Sequence, residues 1–291
     1  MKVVAVIMGM LLSFAAFGAD GKGGTMERFP SRLLRRDVPI SVHIPDPAAL
    51  QAWSSAQPGR RARIVLFLPG AWDGPADLLR TGLYADLAKR EAEGRIAPAV
   101  WVAVTHYKSW YVDRKDGTFP YERFLMEELL PELERRHPEY GGSAAARSVA
   151  GLSMGGFGAL NLAARTHAFS RCAALSPALI QPPFRNINWF VRWTIKRVLP
   201  TDPESFAPWN PWRHLGGEAE LVIGSGTEDE HGLARAVRAF AEVCGERNRQ
   251  LTVDLGPGKH DWNYWTPEFE RLAPWINGGA LPQERSSESR P

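Results

Sequence analysis

Ser153 stands in Gly-Leu-Ser-Met-Gly-Gly (151–156), with a glycine two residues away on either side. Glu228, Asp229 and Glu230 follow in one run, and His260 comes later, behind the Gly-Pro-Gly turn 256–258. A serine hydroxyl is a weak nucleophile until a base takes its proton, and a histidine serves best when a carboxylate holds its tautomer. Serine, acid and histidine, in that order, are the parts of an acyl-transfer site. Spacing alone does not choose among the three neighbouring acids. The oxyanion that forms in such a reaction needs N–H donors. The backbone of Met154, next to the serine, offers one. A second can come from Ala71 or Trp72, because Pro69 has no N–H and Gly70 lets the chain turn. This chemistry calls for no cofactor and no metal.

These residues do chemistry only if the elements around them bring them together. Arg63–Gly70 ("RIVLFLPG") and Pro98–Thr105 ("PAVWVAVT") are near-continuous apolar runs, the pattern of strands buried on both faces. Val38–Pro45 alternates apolar and polar and reads as a strand with one wet face. Tyr121–His137 reads as a helix that Pro131 interrupts. The short strand "RSVAGLS" leads into Ser153, and "MGGFGALNLAART" continues as a helix, so the serine sits on a strand-turn-helix elbow. The helix N-terminus then points its positive end at the hydroxyl. Further on come "RCAALSP" (strand), "ELVIGSG" (strand), "GLARAVRAFAEVCGERN" (helix), "QLTVDLG" (strand) and "PEFERLAPWI" (helix). The acids and His260 each follow a late strand. Alternating strands and helices predict an α/β fold, a mainly parallel central sheet with helices on both faces.

The 291 residues carry a net charge of +3 with no long basic block, which argues against a nucleic-acid partner. "MKVVAVIMGMLLSFAAFGAD" has one lysine, an apolar run and small residues, the pattern of a secretory signal over 1–19. A secreted or periplasmic location follows from it, with "GKGGTMERFPSR" as a flexible entry to a domain over 20–277. The polar 278–291 reads as a disordered tail. Cys172 opens an apolar run and Cys244 lies on a helix stripe, which favours two buried thiols over a disulfide. Neither has metal-ligand spacing.

The chain resembles the esterases of the esterase D and antigen 85 type, which include feruloyl esterases and S-formylglutathione hydrolases. The resemblance is carried by "SWYVDRKDGTFPYERFLMEELLPELE", "AGLSMGGFGALNLA", "LSPAL", "GTEDE" and "GPGKHDWNYW", and extends from about Arg63 to Ile276. It implies an α/β-hydrolase fold and a metal-independent serine esterase. On this chain it implies Ser153 as nucleophile, His260 as base, Asp229 as acid, and Met154 and Ala71 as oxyanion donors. The family's usual His-Gly after the first core strand is Pro69-Gly70 here. Its His-Pro after the nucleophile helix is replaced by Thr166-His167-Ala168. The implied activity is hydrolysis of a small-molecule or sugar-linked ester, with acyl transfer by the same residues as the alternative. An inactive binding module is the third reading, and the presence of all three residue types speaks against it.

Residues 181–215 break the alternation and read as an inserted cap over the site. Within them Asn186–Val198 is predicted helical, with Ile187, Phe190, Val191, Ile195 and Val198 on one stripe. Trp189 and Trp193 widen the apolar surface and, with Trp72, are the candidate substrate-binding residues. Arg185, Arg192, Lys196 and Arg197 make the rest basic, so contact with an anionic membrane surface is an alternative use.

Overall fold

Six parallel strands form the body of the sheet, and two antiparallel strands extend one edge. The strands are β1 (Thr25–Ser31), β2 (Arg36–His43), β3 (Arg63–Leu68), β4 (Ala99–Val104), β5 (Arg147–Leu152), β6 (Arg171–Leu175), β7 (Glu220–Gly226) and β8 (Thr252–Gly256). Their order is β1-β2-β4-β3-β5-β6-β7-β8, parallel from β4 to β8. The computed structural model describes residues 23–184, 187–213, 217–247, 249 and 251–283. The predicted signal 1–19 therefore lies outside the described residues, as do Arg185, Asn186, His214 and Leu215 of the predicted insertion and 284–291 of the predicted tail.

The apolar runs explain the two-layered core. Side chains alternate along a strand. Ile64, Leu66 and Leu68 thus pack with Val100, Val102 and Val104 on one face. Val65 and Phe67 pack with Trp101 and Ala103 on the other. Helix Met154–Thr166 covers the first face with Phe157 and Leu160. Helices Leu83–Ala92 and Trp262–Ile276 cover the second. Among the described residues, no helix is long and apolar enough to cross a membrane. Cys172 and Cys244 are buried and unpaired.

Several expectations are corrected. The predicted flexible entry is largely strand: β1 pairs with β2 from Thr25↔Val42 to Ser31↔Arg36 and buries Phe29 against Phe124. Nearby glycines and Pro30 hid it, yet an edge strand tolerates proline. The helix predicted over Tyr121–His137 is continuous but widened: Tyr121–Arg123, a π-helical turn Phe124–Leu129, then Leu130–Arg136. Leu130 N–H bonds back to Leu125, five residues away. Pro131 has no N–H and its ring crowds the preceding turn, so the wider turn absorbs the mismatch. The predicted Asn186–Val198 helix starts at Trp189, because the Asn188 side chain caps it by accepting from Phe190 N–H at 2.8 Å. The last helix starts at Trp262 rather than Pro267, capped by Asp261. Gly278 and Gly279, placed in the predicted tail, are held to the last helix instead, since their N–H groups bond to the carbonyls of Trp275 and Pro274.

Candidate active site

The carboxyl ends of the parallel strands carry the candidate residues, as the crevice of an open α/β sheet requires. Ser153 follows β5 directly, in a positive-φ conformation (φ 54°, ψ −117°) that a non-glycine residue rarely adopts. The elbow holds it there. Its N–H bonds to Leu175 of β6 at 3.0 Å, and its carbonyl accepts from Ala178 at 2.9 Å. Gly155 lies against the end of β3, where a Cβ would occupy the space of the Leu68 carbonyl. The glycines are therefore required by close approach of backbones, and the strained serine by its position between strand and helix.

His260 Nδ1 lies 2.8 Å from Asp229 Oδ2, and Nε2 lies 3.0 Å from Ser153 Oγ. A carboxylate only accepts, so Nδ1 carries the proton and Nε2 is free to accept from the serine. The Asp229 side chain is fully buried, and its other oxygen accepts the His231 N–H at 2.9 Å. Burial works to raise its pKa, but the hydrogen bond and charge of His260 outweigh this and hold it below the usual carboxylate value. Glu228 and Glu230 are exposed. The choice among three adjacent acids is thus made by the turn after β7. The His260 ring packs edge-on against His231 and Trp265, with centroids 4.7 and 4.9 Å away. Trp265 is itself anchored to Ser176 Oγ at 3.1 Å.

Met154 is buried at the start of the helix that follows the serine. The Pro69–Ala71 loop lies alongside: a Cβ on Gly70 would stand 3.4 Å from Ser153 Cβ. The Pro69 carbonyl accepts from Tyr111 Oη at 2.6 Å, and the Ala71 carbonyl accepts from Lys108 Nζ. Both N–H donors named from the sequence therefore belong to segments that flank the serine. Trp72 and Trp189 are mostly exposed, but Trp72 stacks on Phe190 at 4.8 Å, tying this loop to the helix Trp189–Val198.

Three features are assigned no role from the sequence. Asp73 accepts from Trp262 Nε1 at 2.8 Å; burial raises its pKa, and that hydrogen bond partly offsets the rise. The loop after β4 holds Tyr107, Lys108, Trp110 and Tyr111 at φ between 48° and 61°. Such residues cost on the order of 1–3 kcal/mol each and cluster where geometry serves a site. His106 braces this loop: Nδ1 accepts the Lys108 N–H at 2.9 Å, so Nε2–H donates to the Asp73 carbonyl at 2.8 Å. A scan of every loop at a strand's carboxyl end for polar and titratable residues would have found "THYK" (105–108).

His106 links pH to stability. Burial lowers its pKa to about 4; the Asp73 carbonyl opposes this and Lys108 adds to it. The unfolded chain therefore takes up a proton first, near pH 6.5. The contribution is full above that pH and is lost as pH falls toward about 4, up to roughly 3 kcal/mol. Urea unfolding at pH 7 and 4.5 should show a larger acid loss in the wild type than in His106→Gln. Equal losses would remove His106 from the account.

A family model described as "Putative esterase" matches residues 31–276. Among solved structures, a ferulic acid esterase is similar over 91% of this chain and 98% of its own, with 20% identity and a TM-score of 0.68. FphF, a fluorophosphonate-binding serine hydrolase of Staphylococcus aureus, is similar over 87% and 97%, with 17% identity and a TM-score of 0.71. MPT51 of Mycobacterium tuberculosis is similar over 88% and 97%, with 17% identity and a TM-score of 0.64. At these identities the likeness is one of fold, that of an α/β-hydrolase. No curated protein matches in sequence.

Proposed function

The chain belongs to this esterase family, the family of carboxylic ester hydrolases whose model covers residues 31–276, and we propose that it works as a serine hydrolase through Ser153, His260 and Asp229. The observation that carries the reading is the unbroken relay of 2.8 and 3.0 Å from Asp229 through His260 to Ser153 Oγ. His260 takes the hydroxyl proton as Oγ attacks the ester carbonyl. Charge then develops on the carbonyl oxygen, and the N–H groups of Met154 and Ala71 receive it. The imidazolium, held by Asp229, returns its proton to the departing alcohol and leaves an acyl group on Ser153. A water activated by the same histidine releases the acid.

In this reading the helix Trp189–Val198 of the predicted cap forms a wall of the substrate site. Its support is the stack of Phe190 on Trp72, one residue beyond Ala71. The substrate is a small-molecule ester. A fluorophosphonate probe tests the nucleophile directly. Stoichiometric phosphonylation should map by peptide mass spectrometry to Ser153, and labelling of another serine would overturn the assignment.

A further inference from the structure

A cavity of about 470 Å3, which has none of Ser153, His260 and Asp229 in its wall, lies between the loop after β4 and the helix Trp189–Val198. That volume is within the range of small-molecule sites. Its wall brings together four cations from distant parts of the chain: Arg36, Lys108, Arg114 and Arg197. Among the described residues, only Arg114 has an ion-pair partner, Asp116 at 3.2 Å. Asp73 is the acid acting on Lys108; burial lowers the lysine's pKa and that charge opposes the change. Arg36, Lys108 and Arg197 are in salt bridges with no described carboxylate. With Asp116 on Arg114, Asp73 acting on Lys108 and Asp37 on Tyr107, the cations still outnumber the acids at this wall, and convergent arginines in excess of acids are a recognition surface for oxyanions, because each guanidinium presents a planar fork of donors.

The wall also holds three aromatic side chains, Tyr107, Phe119 and Trp193. Arg36 lies over Tyr107 and Phe119, at 5.1 and 5.5 Å from the ring centroids, and Arg197 lies over Trp193 at 4.7 Å. These contacts hold the guanidinium groups against the aromatic wall, and Arg36 is fixed further by its Nε donating to the Leu34 carbonyl at 3.4 Å. Tyr107 and Lys108 sit on the strained loop after β4, and Trp110 of that loop bonds to Thr194 of the facing helix at 3.1 Å. The unfavourable backbone thus presents a tyrosine and a lysine to this cavity.

Lys108 joins the cavity to the serine, since its Nζ donates to the Ala71 carbonyl in the loop that flanks Ser153. Two residues of chain and one hydrogen bond put the Lys108 ammonium within roughly 10 Å of Ser153, and the other cations lie farther along the same cavity wall. An aromatic ring with a short linker spans that distance.

We propose that this cavity is an anion subsite, which takes an aromatic part of the ester bearing a carboxylate or similar oxyanion and selects such esters over neutral ones. The proposal rests on the esterase reading of Ser153. The anion can be carried on the acyl or on the alcohol side, and matched probes separate the two. On the acyl side they are 4-nitrophenyl esters of 4-carboxycinnamic acid and of its neutral 4-carbamoyl counterpart. On the alcohol side they are butyrate esters of 4-hydroxycinnamic acid and of its amide.

The readout is the anionic-to-neutral ratio of kcat/KM, so a general loss of activity cancels. On one side that ratio should be at least about ten-fold, a charge-assisted contact's worth. It should fall with salt and collapse toward one in Arg36→Gln and Arg197→Gln. Ratios within two-fold on both sides, or a ratio that survives both substitutions, would overturn the subsite. The same pair is read as binding by calorimetry, with 4-carboxycinnamate and 4-carbamoylcinnamamide on the Ser153→Ala chain. Preference for the anion there, with no ester cleaved by the wild type, would keep the subsite and remove the esterase mechanism. Equal binding would remove the subsite alone.

Discussion

Ser153→Ala is expected to lower ester turnover by about a million-fold and to leave the fold intact. The hydroxyl is the only atom lost. A serine already places a Cβ on this positive-φ backbone (φ 54°), so alanine adds no new steric demand. The N–H to Leu175 and the carbonyl from Ala178 are backbone bonds and persist. What disappears is the atom 3.0 Å from His260 Nε2. Residual activity should exceed that of water, because the donors at Met154 and Ala71 remain to stabilise charge on an ester attacked by water. Single-turnover kinetics with a chromogenic ester, beside a thermal melt, check both halves. Turnover within ten-fold of the wild type would show that Ser153 Oγ is not the attacking atom. Adding His260→Ala to the alanine variant should cost little more, since the two groups act as a unit.

Asp229→Asn should cost turnover roughly ten-thousand-fold, the loss expected when a triad histidine is held in the wrong tautomer. Here the structure says why. One carboxylate oxygen accepts from His231 N–H at 2.9 Å, and the other faces His260 Nδ1 at 2.8 Å. An asparagine must give its single oxygen to one of them. A backbone N–H can only donate, so the oxygen goes to His231 and the amide NH2 faces the imidazole. His260 Nδ1 must then accept, its proton moves to Nε2, and that nitrogen can no longer take the serine's proton. The charge that stabilises the imidazolium is lost as well. Glu228→Gln and Glu230→Gln should change turnover by less than a few-fold, because both side chains are exposed. A larger loss at either glutamate, measured on the same ester, would move the acid to that residue. The tautomer itself can be read from 15N shifts of His260 in the two forms.

Much of the arrangement is legible in local pattern. A run buried on both faces, such as Arg63–Leu68, needs a sheet covered on both sides, and the alternation of such runs with helices requires them to be parallel. The glycines around Ser153 mark a backbone crossing by residue type alone, since close approach excludes a Cβ. The order serine, acid, histidine behind successive strands brings the three to one edge by topology. Edges of elements are less legible. Thr25–Ser31 gains its strand from β2, and the π turn at Phe124–Leu129 from the geometry of Pro131.

Residue type and order along the chain determined which groups could attack, take a proton and fix a tautomer, because those are properties of single side chains and of strand succession. Only the tertiary structure decided which of three adjacent acids is buried against His260, and that depends on the direction each side chain takes from one turn. It also decided that Arg36, Lys108, Arg114 and Arg197, far apart in sequence, line one cavity, from which Lys108 bonds to the Ala71 carbonyl. No period or motif relates those four positions. They meet because β2, the loop after β4 and the helix Trp189–Val198 pack together, and the contacts that bring them together are long-range ones.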